Sequence, residues 1–119
     1  MESFTQKIKD ITRSTNLPLI VDADTGFGEG EMCARTVWEY NLAGAAGMHL
    51  EDQVFPKRCG HLDGKTLIST PDMVHKIRIA CKAAQDCSNG DFIICARTDA
   101  AGIEGVEASI ARAKAVRIS

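Results

Sequence analysis

An α/β fold built on a parallel sheet is what this sequence predicts, and three observations carry the prediction. Short apolar runs alternate with amphipathic ones along the 119 residues, so that strand-then-helix units follow one another. Units of this kind join parallel strands by right-handed crossovers. The strand candidates also end alike, in charged residues: Asp22 and Asp24, then Glu51 and Asp52, then Arg97 and Asp99. In parallel α/β folds, binding and catalytic sites are built at that C-terminal edge.

Taken in order, residues 3–15 read as a helix with Phe4, Ile8 and Ile11 on one face, and Asn16-Leu17-Pro18 breaks it. Leu19-Ile20-Val21 is a short β-branched run, as expected of a strand buried on both faces. Residues 22–30 form a loop rich in glycine and acid, residues 31–42 a second helix, and residues 43–47 a turn. Met48-His49-Leu50 is the second strand, with His49 expected to face the core. A long polar connection covers residues 53–69. The next helix has Thr70 as its expected N-cap, Pro71 in the first helical position and Asp72 at the positive end. It runs to about residue 84 with Met73, Ile77 and Ala80 on one face. Residues 92–96 are the third strand, with Arg97-Thr98-Asp99 at its end, and residues 106–116 the last helix. Three parallel strands leave two edges open, and a barrel needs more strands to close. One partial domain over residues 1–119, a fragment of a longer enzyme, is therefore expected.

Composition excludes several function classes. The formal net charge is −2, and no basic stripe offers a footprint for nucleic acid. No apolar run approaches the roughly 18 residues that cross a membrane, and the first residues lack the basic and apolar regions of a signal peptide. Cys33, Cys59, Cys81, Cys87 and Cys95 are odd in number and have no short-spaced pair. That argues against a disulfide framework and for a reducing, cytoplasmic setting; a mitochondrial form would need a targeting segment. Cys33, Cys81 and Cys95 are expected to pack as small hydrophobes, and His75 to sit on the surface.

Three strings carry candidate chemistry. In Asp22-Ala23-Asp24 the two acids lie two apart in a strand and so point to one side, where they could hold a hard cation such as Mg²⁺. The alternative is capping of the loop by Asp24 and a basic partner for Asp22. The following Thr25-Gly26-Phe27-Gly28-Glu29-Gly30 has G-x-G-x-G spacing, which differs from a dinucleotide loop, and acids crowd it. In Lys57-Arg58-Cys59-Gly60-His61, two cations and a histidine favour the thiolate of Cys59. The string lies on a long loop after a strand, and its alternative is a solvated basic loop. Arg97 could fork onto a substrate carboxylate, or pair with Asp22, Glu51 or Asp99. Asp99 reads as structural.

Together with Gly44 to Gln53 and Ala96 to Ala100, these strings resemble, in order and spacing, the isocitrate lyase/phosphoenolpyruvate mutase superfamily over about residues 18–115. The Lys-Arg-Cys-Gly-His string points to its lyase side, and Leu62-Asp63-Gly64-Lys65 to the methylisocitrate lyase branch. The resemblance implies a (β/α)₈ barrel, of which three consecutive βα units are present, and a Mg²⁺-dependent retro-aldol cleavage, with Mn²⁺ as the alternative ion. The implied substrate is a 2-hydroxy tricarboxylate such as 2-methylisocitrate, giving succinate and a 2-oxo acid. On this likeness Asp24 is the nearest metal ligand, while Asp22 and Glu51 hold metal-bound waters or contact the metal side of the substrate. Cys59 is the general acid, and Lys57 and His61 tune it. Arg58, Arg97 and Gly60 contact the substrate.

The departures are absences. Family members carry further strands on either side, and form homo-oligomers through helices with no counterpart here. The chain alone is therefore expected to be inactive. Oxaloacetate hydrolysis, dimethylmalate cleavage, a phosphonate mutase reaction or a non-catalytic product are the rival readings.

Overall fold

A computed structural model of the chain describes residues 2–28, 30–54 and 66–117. The elements run α1 (Glu2–Ser14), β1 (Ile20–Asp22), α2 (Glu31–Ala43), β2 (Gly47–Glu51), α3 (Thr70–Ser88), β3 (Ile93–Arg97), a single 3₁₀ turn (Ala100–Gly102) and α4 (Val106–Arg117). The strands form one parallel sheet in the order β1-β2-β3. These are three consecutive parallel βα units, as expected, with boundaries shifted by a residue or so except for α3, which runs four residues past its expected end to Ser88.

Register decides which side chains meet. Ile20, Gly47 and Ile93 stand level across the sheet, then Asp22, His49 and Cys95, then Glu51 and Arg97. Side chains alternate along a strand, so all of these share one face. The residues between them, Val21, Met48, Leu50 and Ile94, belong to the other face and pack into the core. Helices α2, α3 and α4 contact the sheet, and the core that they form with it includes Val37, Tyr40, Met73, Ile77 and Ala80.

Only one face is therefore covered by the described residues. Expected burial of the first strand on both faces does not hold: Ile20 is 48% exposed, and level with it Ile93 of β3 is 56% exposed. His49 is half-buried on the uncovered face, not in the core. Of the thiols, Cys33 is buried as expected, whereas Cys81 and Cys95 are exposed, because Cys95 stands on that open face and Cys81 borders a surface cavity beside β3. His75 is exposed, as expected.

Two local details position the site. The α3 N-cap is Ser69 rather than Thr70: its backbone is extended and its hydroxyl accepts the Asp72 amide at 3.2 Å, while Thr70 is already helical. Within the polar connection, Gln53 and Leu67 form an antiparallel bridge. The Val54 amide donates to Thr66 O at 2.7 Å and the Ile68 amide to Asp52 O at 2.8 Å. This two-stranded stem brings together the ends of the segment carrying Lys57, Arg58, Cys59, Gly60 and His61. Those five residues lie outside the described ones. On the first helix, Ile8 is buried and the Phe4 ring lies 5.7 Å from that of Phe27, but Ile11 is exposed. No described helix is long and apolar enough to cross a membrane.

Candidate functional site at the strand ends

The acid turn after β1 does not continue the strand. Asp24 has φ +52°, in the left-handed region, and its amide donates to Asp22 Oδ1 at 2.8 Å. The premise that both acids project from one strand face is thereby corrected: Asp22 ends the strand and caps the turn, and Asp24 occupies it. Short polar side chains tolerate this backbone. The turn is nevertheless tied to the next strand, because the Glu51 amide donates to Asp24 O at 2.8 Å. Gly26 presses the loop onto the core; a Cβ there would stand 3.1 Å from Cys33 Sγ and 3.3 Å from Leu50 Cδ2, at φ +86°. Thr36 Oγ1 donates to Gly26 O at 2.9 Å and locks that contact.

On the uncovered face, Asp22 Oδ1 lies 3.6 Å from His49 Nδ1. One level further, Arg97 Nη1 lies 3.6 Å from Glu51 Oε2, with Glu51 buried and the Arg97 side chain 44% exposed. Arg97 also grips Asp99 Oδ1, from Nη2 at 3.0 Å and Nε at 3.1 Å. Burial opposes the guanidinium charge, but Asp99, Glu51 and Asp22 outweigh it, so the Arg97 pKa is raised. Of the two readings of Arg97, the ion-pair one is observed, with Glu51 and Asp99 as its partners, and the side chain keeps part of its surface exposed. Asp99 is structural as expected, accepting from Gln53 Nε2 at 2.8 Å as well.

Sequence reasoning passed over several residues here. Tyr40 is fully buried and its hydroxyl has no hydrogen-bond partner among the described residues. Its pKa is pushed up to about 12, first by burial and then by the charges of Asp24 and Asp22. Asp52, next to Glu51, turns the other way. It accepts from Thr98 Oγ1, from the Asp99 amide at 2.9 Å, and from Arg112 Nη1 at 3.4 Å. Arg112 was legible as an oddity, since it shares a helical face with Ala108 and Val116.

Among the described residues no three of His, Cys, Asp and Glu are close enough to hold a metal ion by themselves. The donors at this edge are nonetheless carboxylate oxygens, and Mg²⁺ takes one or two of these while keeping several waters. The donor chemistry of Asp22, Asp24 and Glu51 thus suits such an ion. Cys81, Cys87 and Cys95 are free thiols.

Parallel βα units with acids and an arginine gathered at the strand ends define a segment of a parallel α/β fold with its candidate site at the C-terminal edge of the sheet. The phosphoenolpyruvate phosphomutase family profile matches residues 1–117, and the chain belongs to that family, within the PEP mutase/isocitrate lyase superfamily. A Corynebacterium glutamicum protein named probable 2-methylisocitrate lyase 1 is 58% identical over 109 residues, covering 92% of this chain and 35% of the relative. The chain spans about a third of the length of the curated relatives it matches. Among solved structures, 2,3-dimethylmalate lyase superposes with TM-score 0.89 at 43% identity, over 96% of this chain and 38% of that one. A phosphonopyruvate hydrolase in complex with oxalate and Mg²⁺ superposes with TM-score 0.85 at 28% identity, over 99% of this chain and 39% of that one.

Proposed function

We propose that the protein is a carbon–carbon lyase that cleaves a 2-hydroxy tricarboxylate, 2-methylisocitrate by preference, into succinate and pyruvate in the cytoplasm, with Mg²⁺ or Mn²⁺. The observation that carries this reading is the Glu51–Arg97 pair on adjacent strand ends, with Asp22 one level below on the same face. Carboxylates and a guanidinium on one face of the strand ends support this reading, because a metal-bound hydroxy acid would require both. The relatives' names point the same way.

Asp24 would be the nearest ligand of the divalent ion, with Asp22 and Glu51 holding its waters or meeting the metal side of the substrate. When bound, the ion supplies Lewis acidity toward the hydroxyl and carboxylate oxygens of the substrate. Arg97 binds a substrate carboxylate through the part of its fork that solvent reaches, and Arg58 and Gly60 complete that contact from the loop. The hydroxyl proton passes to the Glu51 carboxylate, the hydroxyl oxygen becomes the carbonyl of pyruvate, and the carbon–carbon bond breaks. Its electron pair passes to the carbon that becomes succinate, and Cys59 delivers a proton there as general acid. Lys57 and His61 set the state of the Cys59 thiol.

The test places residues 1–117 in the matching third of the Corynebacterium glutamicum relative and measures pyruvate release from 2-methylisocitrate, with 2,3-dimethylmalate in parallel. Dimethylmalate is the second substrate to weigh, given the structural likeness. Turnover of 2-methylisocitrate that requires Mg²⁺ and is lost in Cys59→Ser supports the reading. Preference for dimethylmalate reassigns the substrate, and no turnover of either overturns the lyase. The 119-residue chain alone is expected to show no turnover, because the sheet face carrying Arg97 is uncovered.

A further inference from the structure

Glu51 and Asp52 are neighbours in sequence with opposite orientations. Glu51 meets Arg97 on the uncovered face. Asp52 is fully buried and holds the turn that follows β3: its Oδ1 accepts the Asp99 amide at 2.9 Å, and its Oδ2 accepts Thr98 Oγ1 and Arg112 Nη1. Thr98 Oγ1 in turn accepts the Ala100 amide at 3.1 Å. Arg112 donates to Ile68 O at 2.7 Å and to Glu104 Oε1 at 2.8 Å. The ion pair between Arg112 and Asp52 lies inside the protein, where each charge depends on the other.

The residues thus restrained are the ones next to Arg97. Asp99, whose backbone Asp52 fixes, has its own carboxylate on Arg97 Nε and Nη2. Gln53 holds the other oxygen of Asp99 and sits in the stem opposite Leu67. A single chain of bonds therefore runs from Arg112 through Asp52 to Asp99 and Arg97, with the stem of the Cys59 segment attached to it.

We propose that Asp52, with Thr98 and Arg112 as its anchors, is a positioning residue for substrate binding: it aims Arg97 at the ligand by fixing the Thr98–Asp99 turn. This rests on the lyase reading for its kinetic readout, but not for its structural one. Outer partners that orient a ligand-binding group commonly cost about 10- to 100-fold when removed.

The experiment compares Asp52→Asn, Thr98→Val and Thr98→Ser, each in the native and the Arg97→Lys background, in the grafted enzyme. Thr98→Val is included because Asp52→Asn removes the buried charge partner of Arg112, leaving it Glu104 alone, and can unfold the protein, whereas the threonine change removes no charge and only the two hydrogen bonds of one hydroxyl. Expected are a KM for 2-methylisocitrate raised about tenfold, little change in Thr98→Ser, and almost no further effect once Arg97 is Lys. Equal fold-losses in both backgrounds, or losses that follow the folded fraction, overturn the proposal. Should the native graft show no turnover, the lyase reading falls and the proposal is read from the Arg97 Nε–H resonance of the 119-residue chain. A resonance altered by Thr98→Val and restored by Thr98→Ser supports it, and one that does not move refutes it.

Discussion

At the scale of single residues, Tyr40 shows how the site strains its surroundings. A buried phenol with no partner forgoes the hydrogen bonds that water gave it, a cost of about 1–3 kcal/mol in protein interiors. Removing the hydroxyl is therefore expected to stabilise the fold: Tyr40→Phe should gain about 1 kcal/mol in urea unfolding near neutral pH. Its pH dependence has a definite sign. The folded-state pKa, about 12, lies above the ordinary 10.0, so the folded protein holds this proton more tightly than the unfolded chain does. Tyr40 costs nothing further below pH 10, and its stabilising proton is lost as the pH rises through 12. The gain from Tyr40→Phe should then be larger at pH 11 than at pH 8, and equal gains would refute the argument. None of this is legible in the sequence, where Tyr40 is one more residue on an amphipathic helix; its partnerless state depends on packing. Asp22, Glu51 and Arg97 are legible, because strand ends announce themselves locally. Asp24 is half-legible: its position is, but its left-handed backbone depends on how Gly26 and Cys33 press the turn down.

Among elements, the sheet is governed by Gly47. Ile20 and Ile93 flank it on the same level, and a Cβ at Gly47 would stand 2.7 Å from Ile93 O and 2.9 Å from both Ile20 Cδ1 and Ile93 Cβ. The Ile20 methyl can rotate away, but a carbonyl within a parallel ladder cannot. Gly47→Ala is expected to cost about 1–3 kcal/mol in urea unfolding, and Ile20→Ala should fail to rescue it because the tightest contact is backbone. Rescue would place the strain in the side chain instead. This glycine was readable from the sequence only as part of a turn, since the crowding comes from residues 27 positions before it and 46 after. The same distance in sequence hid the Asp52 network, whose partners are separated by 46, 47 and 60 residues. Periodicity finds a helix or strand and its apolar face, whereas contacts between elements appear only once the register is known.

For the whole molecule, the decisive feature is a sheet covered on one side. Ile20 and Ile93 form an apolar floor on the open face, and β1 and β3 each keep one edge without a strand neighbour among the described residues. Exposed strand edges and contiguous apolar surface are both templates for association. The 119-residue chain by itself is expected to self-associate, its sedimentation coefficient rising with concentration. Ile93→Asp should reduce this by placing a charge on the open face, in a side chain that the core does not need. Leu42→Asp, on an exposed position of α2 away from the sheet, should leave it unchanged. Equal suppression by the two would mean that net charge governs association rather than this face. A monomer at every concentration would mean that three βα units satisfy their own surface. Either result bears on the proposed function, because the face that drives association is the one from which Asp22, Glu51 and Arg97 would reach a ligand. In the grafted enzyme, where other strands stand beside β1 and β3, the same Ile93→Asp change should instead lower the yield of folded protein, since that face is then interior.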